Sequence, residues 1–89
     1  MVDRVKIGIL YSTTGPYGSM GRDARDGAEF AFHDYRQRGG NRIEPAYFDP
    51  RADLAAYLEG ARSLIRDEGC RHIIGTITSW SRKEVLPVV

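Results

Sequence analysis

Apolar residues in this chain fall into three short runs separated by two longer stretches in which they recur at helical spacing. Val5-Lys6-Ile7-Gly8-Ile9-Leu10 is β-branched, nearly continuous in apolar character and followed by turn residues, which predicts a strand. Residues 11–21 are rich in Gly, Ser, Thr and Pro and read as a loop broken at Gly15-Pro16 and Gly18. Small and apolar residues then repeat at three- and four-residue steps, Ala24, Gly27, Ala28, Ala31 and Tyr35. They predict a helix over 22–38 whose small face lies against a sheet. Gly39-Gly40 ends it through a left-handed cap.

A second strand is predicted over 41–48, with Ile43, Ala46 and Phe48 inward. Pro45 cannot donate to a ladder, so this strand belongs at an edge. Asp49-Pro50 stops it, and Asp53 caps a second helix carrying Leu54, Leu58, Ala61, Leu64 and Ile65. Gly69 closes that helix. The apolar run at 71–74 reads as a third, buried strand. Ser81-Arg82-Lys83-Glu84 has the Ser-x-x-Glu pattern of a capping box and predicts the start of a third helix.

The order is β-α-β-α-β-α, the signature of an α/β fold with three layers and a parallel sheet joined by right-handed crossovers. The expected strand order is 2-1-3. That order places the loops after strands 1 and 3 side by side, at the switch point where open α/β sheets bind ligands.

Composition narrows the function. The 89 residues fit one small domain, with 13 basic and 12 acidic side chains interspersed. Without clustered Lys and Arg, a nucleic-acid surface is not indicated. No apolar run reaches the roughly 20 residues that span a bilayer. Cys70 is the single cysteine, so it forms no internal disulfide, and it reads as a buried spacer. Val85-Leu86-Pro87-Val88-Val89 falls within the helix opened at Ser81, which suggests an N-terminal piece of a longer protein. The chain enters a strand almost at once, without a signal peptide. The expectation is therefore a cytoplasmic protein, or a periplasmic one if a leader was removed.

The candidate chemistry is a cluster of hydroxyls, Thr76, Thr78, Ser79 and Ser81, between the third strand and the third helix. Hydroxyls and free N–H groups at such a turn suit a carboxylate or a carbonyl oxygen. Ser12, Thr13, Thr14 and Tyr17 offer further hydroxyls and an aromatic wall in the first loop. Trp80 either lids the ligand or packs against another part of the protein. Gly15-Pro16-Tyr17-Gly18-Ser19-Met20-Gly21, with Asp49 ending strand 2, invites a dinucleotide reading. Its spacing is Gly-x-x-Gly-x-x-Gly rather than Gly-x-Gly-x-x-Gly, and no Gly-Lys-Ser/Thr is present. Neither His33 nor His72 has a second ligand at metal spacing. Ser79 lacks the nucleophile elbow and a His partner. No catalytic residue, metal or cofactor is indicated.

The run Gly8-Ile9-Leu10-Tyr11-Ser12-Thr13-Thr14-Gly15, with Gly27-Ala28 and Gly39-Gly40, resembles the opening of the type I periplasmic solute-binding proteins, the Leu/Ile/Val-receptor type. Asp49-Pro50 and residues 78–88 resemble the urea and short-chain amide-binding subset, which includes the amide sensor of the amidase operon. The resemblance implies that residues 1–89 are the N-terminal part of lobe 1 of a two-lobed, non-enzymatic binding protein. Its members hold a small polar solute in the cleft between lobes, for an ABC transporter permease or a regulatory protein. The implied ligand is urea, a short-chain amide or a branched-chain amino acid. Ser79 and Thr78 would bond its polar head, with Ile77, Tyr17, Ser12 and Trp80 around it. Ile77 stands where the urea and amide subset commonly has an aromatic residue, leaving room for a larger or more apolar ligand. The alternative reading is a nucleotide-dependent oxidoreductase with a Rossmann-like domain.

Overall fold

The computed structural model describes residues 4–40, 42–77 and 79–89. Three parallel strands, Arg4–Leu10 (β1), Arg42–Phe48 (β2) and His72–Gly75 (β3), form one sheet in the order β2-β1-β3. The central strand sets both registers, with Leu10 opposite Phe48 on one side and Gly75 on the other. Pro45 sits opposite Ile7 in the edge strand β2, where its missing N–H disturbs no second ladder.

The first helix, Gly18–Gln37 (α1), starts four residues before the sequence-based expectation. The Gly18 N–H donates to the Gly15 carbonyl at 3.0 Å, so the turn leads straight into the helix. Its sheet-facing side also differs. Ala24, Arg25, Ala28 and Phe32 are half-buried, while Gly27, Ala31 and Tyr35 are exposed. Residue size alone does not mark a buried face, and the aromatic Phe32 outweighs the small Gly27 and Ala31. A polar tie adds to the attachment of α1: the Tyr47 hydroxyl of β2 donates to Glu29 at 2.6 Å, and Arg25 lies 4.4 Å over the Tyr47 ring. Gly39, at φ +88°, supplies the expected left-handed stop.

The second helix, Leu54–Arg62 (α2), is capped as expected, the Asp53 carboxylate accepting from the Ala55 N–H at 3.1 Å. Residues Ser63–Asp67 continue it as a π-helical turn, closed by the Glu68 N–H on the Ser63 carbonyl at 3.1 Å. The buried stripe is Tyr57, Gly60, Ala61 and Leu64, whereas Leu54 and Ile65 are exposed. The Leu-rich stripe predicted from sequence was therefore rotated. At Gly60 a side chain would run into Phe48 and Leu10, so the glycine lets this helix lie close on the sheet.

The core on this face joins Leu10, Ala46, Tyr57, Ala61, Leu64, Cys70 and Val85, with Phe48, Ile73 and Val88 packed against it. Burying each of the large aliphatic groups contributes about 1.5–3 kcal/mol. Cys70 is buried and free, and burial pushes its thiol pKa up. Ile43 is half-buried but lies three residues from Ala46, so the two-residue period puts it on the opposite face.

The third helix, Ser79–Val85 (α3), begins two residues early, leaving Ser81 buried inside it rather than at its cap. Alongside β3, an apolar hollow of about 600 Å3 is walled by Ile65, Ile73, Val85, Leu86 and Val88. Among the described residues, no helix is long and apolar enough to cross a membrane.

Candidate functional site

The loops after all three strands meet at the carboxyl end of the sheet. After β1 the chain continues through Ser12 and Thr13. The Ser12 hydroxyl accepts from the Ala52 N–H at 2.9 Å and shares a 2.7 Å hydrogen bond with the Tyr57 hydroxyl. Three chain segments are thus tied at one oxygen. Thr13 is held as firmly. Its N–H donates to the Asp49 carboxylate at 3.3 Å, its hydroxyl donates to the same group, and its carbonyl accepts from Arg22 at 2.5 Å.

Asp49 also accepts from the Arg51 N–H at 2.9 Å. Partial burial works to raise its pKa. The bonds from Thr13 and Arg51 and the Arg51 charge outweigh this, so the carboxyl ends below its ordinary value. Arg51 and Ala52 both have left-handed backbones, at φ 54° and 64°. This turn is what aims the Ala52 N–H at Ser12.

After β3, the Thr76 N–H extends the ladder to the Leu10 carbonyl at 3.1 Å, and Thr76 itself turns left-handed at φ 61°. Ile77 follows directly. Between the loops is a cavity of about 240 Å3 lined by Ser12, Thr14, Pro16, Tyr17, Ala52, Leu54, Tyr57, Ile77 and Trp80. Ser12 and Tyr57 are buried at its base, while Tyr17 and Trp80 are 51% and 65% exposed.

Four of the six residues singled out from sequence, Ser12, Tyr17, Ile77 and Trp80, therefore share one cavity. Thr78 and the Ser79 side chain lie outside the described residues. Sequence reasoning missed Tyr57, Leu54 and Ala52. Tyr57 had a signal, since it precedes Ala61 by four and Leu64 by seven, a helical stripe.

The two features behind the dinucleotide reading are engaged otherwise. Asp49 holds Thr13 and Arg51. Gly18 and Gly21 belong to α1, where a side chain on Gly21 would collide with the Ser12 carbonyl oxygen. The glycine spacing serves close approach of the helix to its own loop. His33 and His72 are both exposed, and the described residues contain no group of three His, Cys, Asp or Glu side chains placed to hold a metal.

Comparison with known proteins places this geometry in a family. The periplasmic binding protein domain matches residues 5–89. The fold also superimposes on solved solute-binding proteins. The branched-chain amino acid transporter substrate-binding protein LivJ of Streptococcus pneumoniae, in complex with isoleucine, matches at TM-score 0.89 and 21% identity, over 94% of this chain and 25% of that one. The leucine-binding protein LivK of Thermotoga maritima matches at TM-score 0.81 and 24% identity, over 94% and 24%. An ABC transporter solute-binding protein of Rhodopseudomonas palustris, in complex with 3,4-dihydroxybenzoic acid, matches at TM-score 0.83 and 21% identity, over 98% and 24%. These likenesses establish a shared fold, and the chain spans about a quarter of the length of each. With the parallel sheet in 2-1-3 order and the match over nearly its whole length, the chain belongs to the periplasmic binding protein domain family.

Proposed function

We propose that this chain forms the first-lobe part of a binding site for a small organic solute, held non-catalytically for uptake through an ABC-type transporter or for sensing. The observation that carries this is the convergence of Ser12, Tyr17, Ile77 and Trp80 on one cavity at the carboxyl ends of β1 and β3. Family membership supports it, as do the neighbours that bind isoleucine and 3,4-dihydroxybenzoic acid. The transporter permease, or a regulatory protein in its place, is the partner this reading implies.

Urea, a short-chain amide and a branched-chain amino acid are the solutes that the sequence resemblance implies. We assign their shared carbonyl or carboxylate to Ser79 and Thr78. The apolar character of the cavity favours members with a hydrocarbon body over urea itself.

A thermal-shift screen of the intact protein against urea, acetamide, butyramide, leucine, valine, benzoate and NAD tests the proposal. A ligand at a hundred times its dissociation constant adds about 2.7 kcal/mol of stability, a clear upward shift. The expected result is a shift with a small organic amide or acid. A shift with NAD alone would overturn the proposal. Ser79→Ala is expected to weaken binding of that ligand by about 1–3 kcal/mol through an unsatisfied buried partner.

A further inference from the structure

We infer that the cavity seats an aromatic ring of the solute, and that Tyr57 is the specificity-determining residue that sets how deep the ring can go. This inference rests on the solute-binding reading above. Three observations carry it: size, polarity and the fixed position of the base.

An apolar cavity of roughly 150 Å3 lodges benzene. This one is about 240 Å3, large enough for a ring with a substituent and far larger than urea needs. Its lining includes three aromatic residues, Tyr17, Tyr57 and Trp80, and the aliphatic Leu54 and Ile77. Flat aromatic groups favour offset-stacked and edge-to-face contacts with such rings.

The polar inventory argues the same way. None of the described lining residues is charged. The two buried hydroxyls are bonded to each other, and Ser12 also takes the Ala52 N–H. One hydroxyl proton of this pair is left for a ligand. Urea offers four N–H donors and a carbonyl. Thr14, Tyr17 and Trp80 add a polar group each, but most of the lining is apolar, so urea would bury N–H groups against carbon at a cost. A ring avoids that cost, with the solute's charged or polar head outside this cavity.

Tyr57 is fixed from both sides. Its ring belongs to the core beneath the cavity, and its hydroxyl is hooked to Ser12 on a different loop. Leu54, one helical turn earlier, lines the same cavity, so α2 contributes a wall as well as the base. Shortening Tyr57 would deepen the cavity toward the core.

The test is calorimetric titration of the intact protein with benzoate, 2-naphthoate, leucine, butyramide, acetamide and urea. Benzoate is expected to bind at least about tenfold more tightly than acetamide or urea, a difference of roughly 1.4 kcal/mol. Tyr57→Phe keeps the ring and is expected to leave the naphthoate-to-benzoate affinity ratio within about threefold of the parent. Tyr57→Ala is expected to move that ratio toward naphthoate by about tenfold or more. Tyr57→Leu gives the same readout at smaller volume change if the alanine variant does not fold. Tighter binding of urea, acetamide, butyramide or leucine than of benzoate overturns the inference and leaves the solute-binding reading standing. An unchanged ratio in Tyr57→Ala or Tyr57→Leu overturns the role of Tyr57. Failure of every compound to bind overturns both readings together.

Discussion

The hydroxyl of Tyr57 on α2 lies 2.7 Å from the hydroxyl of Ser12 in the loop after β1, and both groups are buried. Ser12 is thereby a structural tie as well as a cavity residue. Removing it strands two partners, the Tyr57 hydroxyl and the Ala52 N–H. Removing only the Tyr57 hydroxyl leaves Ser12 still bonded to Ala52. Ser12→Ala is therefore expected to destabilise by about 2–3 kcal/mol and Tyr57→Phe by only about 1 kcal/mol. Urea unfolding of the intact protein checks the ranking, and a Tyr57→Phe loss larger than that of Ser12→Ala would contradict it.

Ala52 holds a left-handed backbone that alanine adopts at a cost of about 1 kcal/mol, while glycine adopts it freely. Ala52→Gly keeps the N–H that Ser12 needs. The expected outcome is a stability equal to the parent's or up to about 1 kcal/mol higher, after the extra unfolded-state entropy of glycine is subtracted. A clear loss in the melting temperature would show that the Ala52 methyl contributes more by packing than its backbone costs in strain.

The depressed pKa of Asp49 makes a directional statement about acid. A carboxylate whose folded value lies below its unfolded one stabilises fully above the unfolded value of about 3.9, and loses this as pH falls through the folded value. Asp49→Asn is expected to melt lower than the parent at neutral pH. The gap should narrow once pH drops below about 4. A gap that stays constant as the pH is taken well below that point would mean that charge plays no part in holding Thr13.

Leu64 is 1% exposed and faces β1 across from Gly8, where an added methyl would touch it. Leu64→Ala opens a void between the helical segment and the central strand. The expected loss is about 2–5 kcal/mol. A loss under about 1 kcal/mol would indicate that the core collapses around the gap.

Strands and topology were legible because their signals are local and redundant. Val5 to Leu10 reads as a buried strand in composition and period, Pro45 marks an edge, and Asp53 and Gly69 bracket the second helix. These agree with the observed order of the sheet. Surfaces were harder to read. Gly18 and Gly21 look like helix breakers until the Ser12 carbonyl is placed beside them, for their role is close approach and not flexibility. Leu54 and Ile65 are as apolar as Leu64, yet they sit at the rims of two hollows. Periodicity offered two neighbouring stripes on α2, and only the facing sheet chooses between them. The cavity was found through residues that follow strands, where topology directs ligands. Tyr57 arrives from a helix instead, and its contact with Ser12 spans 45 positions of sequence.

The parallel ladder on both sides of β1 has a consequence for biosynthesis. The central strand leaves the ribosome before both of its neighbours, and the second of them is complete only when Gly75 has been made. At roughly 5–20 residues per second, Ile7, Ile9 and Leu10 wait several seconds for that neighbour. During that interval the nascent segment carries an open hydrogen-bonding edge and bare aliphatic side chains, the combination that recruits stray strands. Glycine at position 8 and lysine at position 6 interrupt the segment's hydrophobicity, and so act as gatekeepers against aggregation before any partner exists.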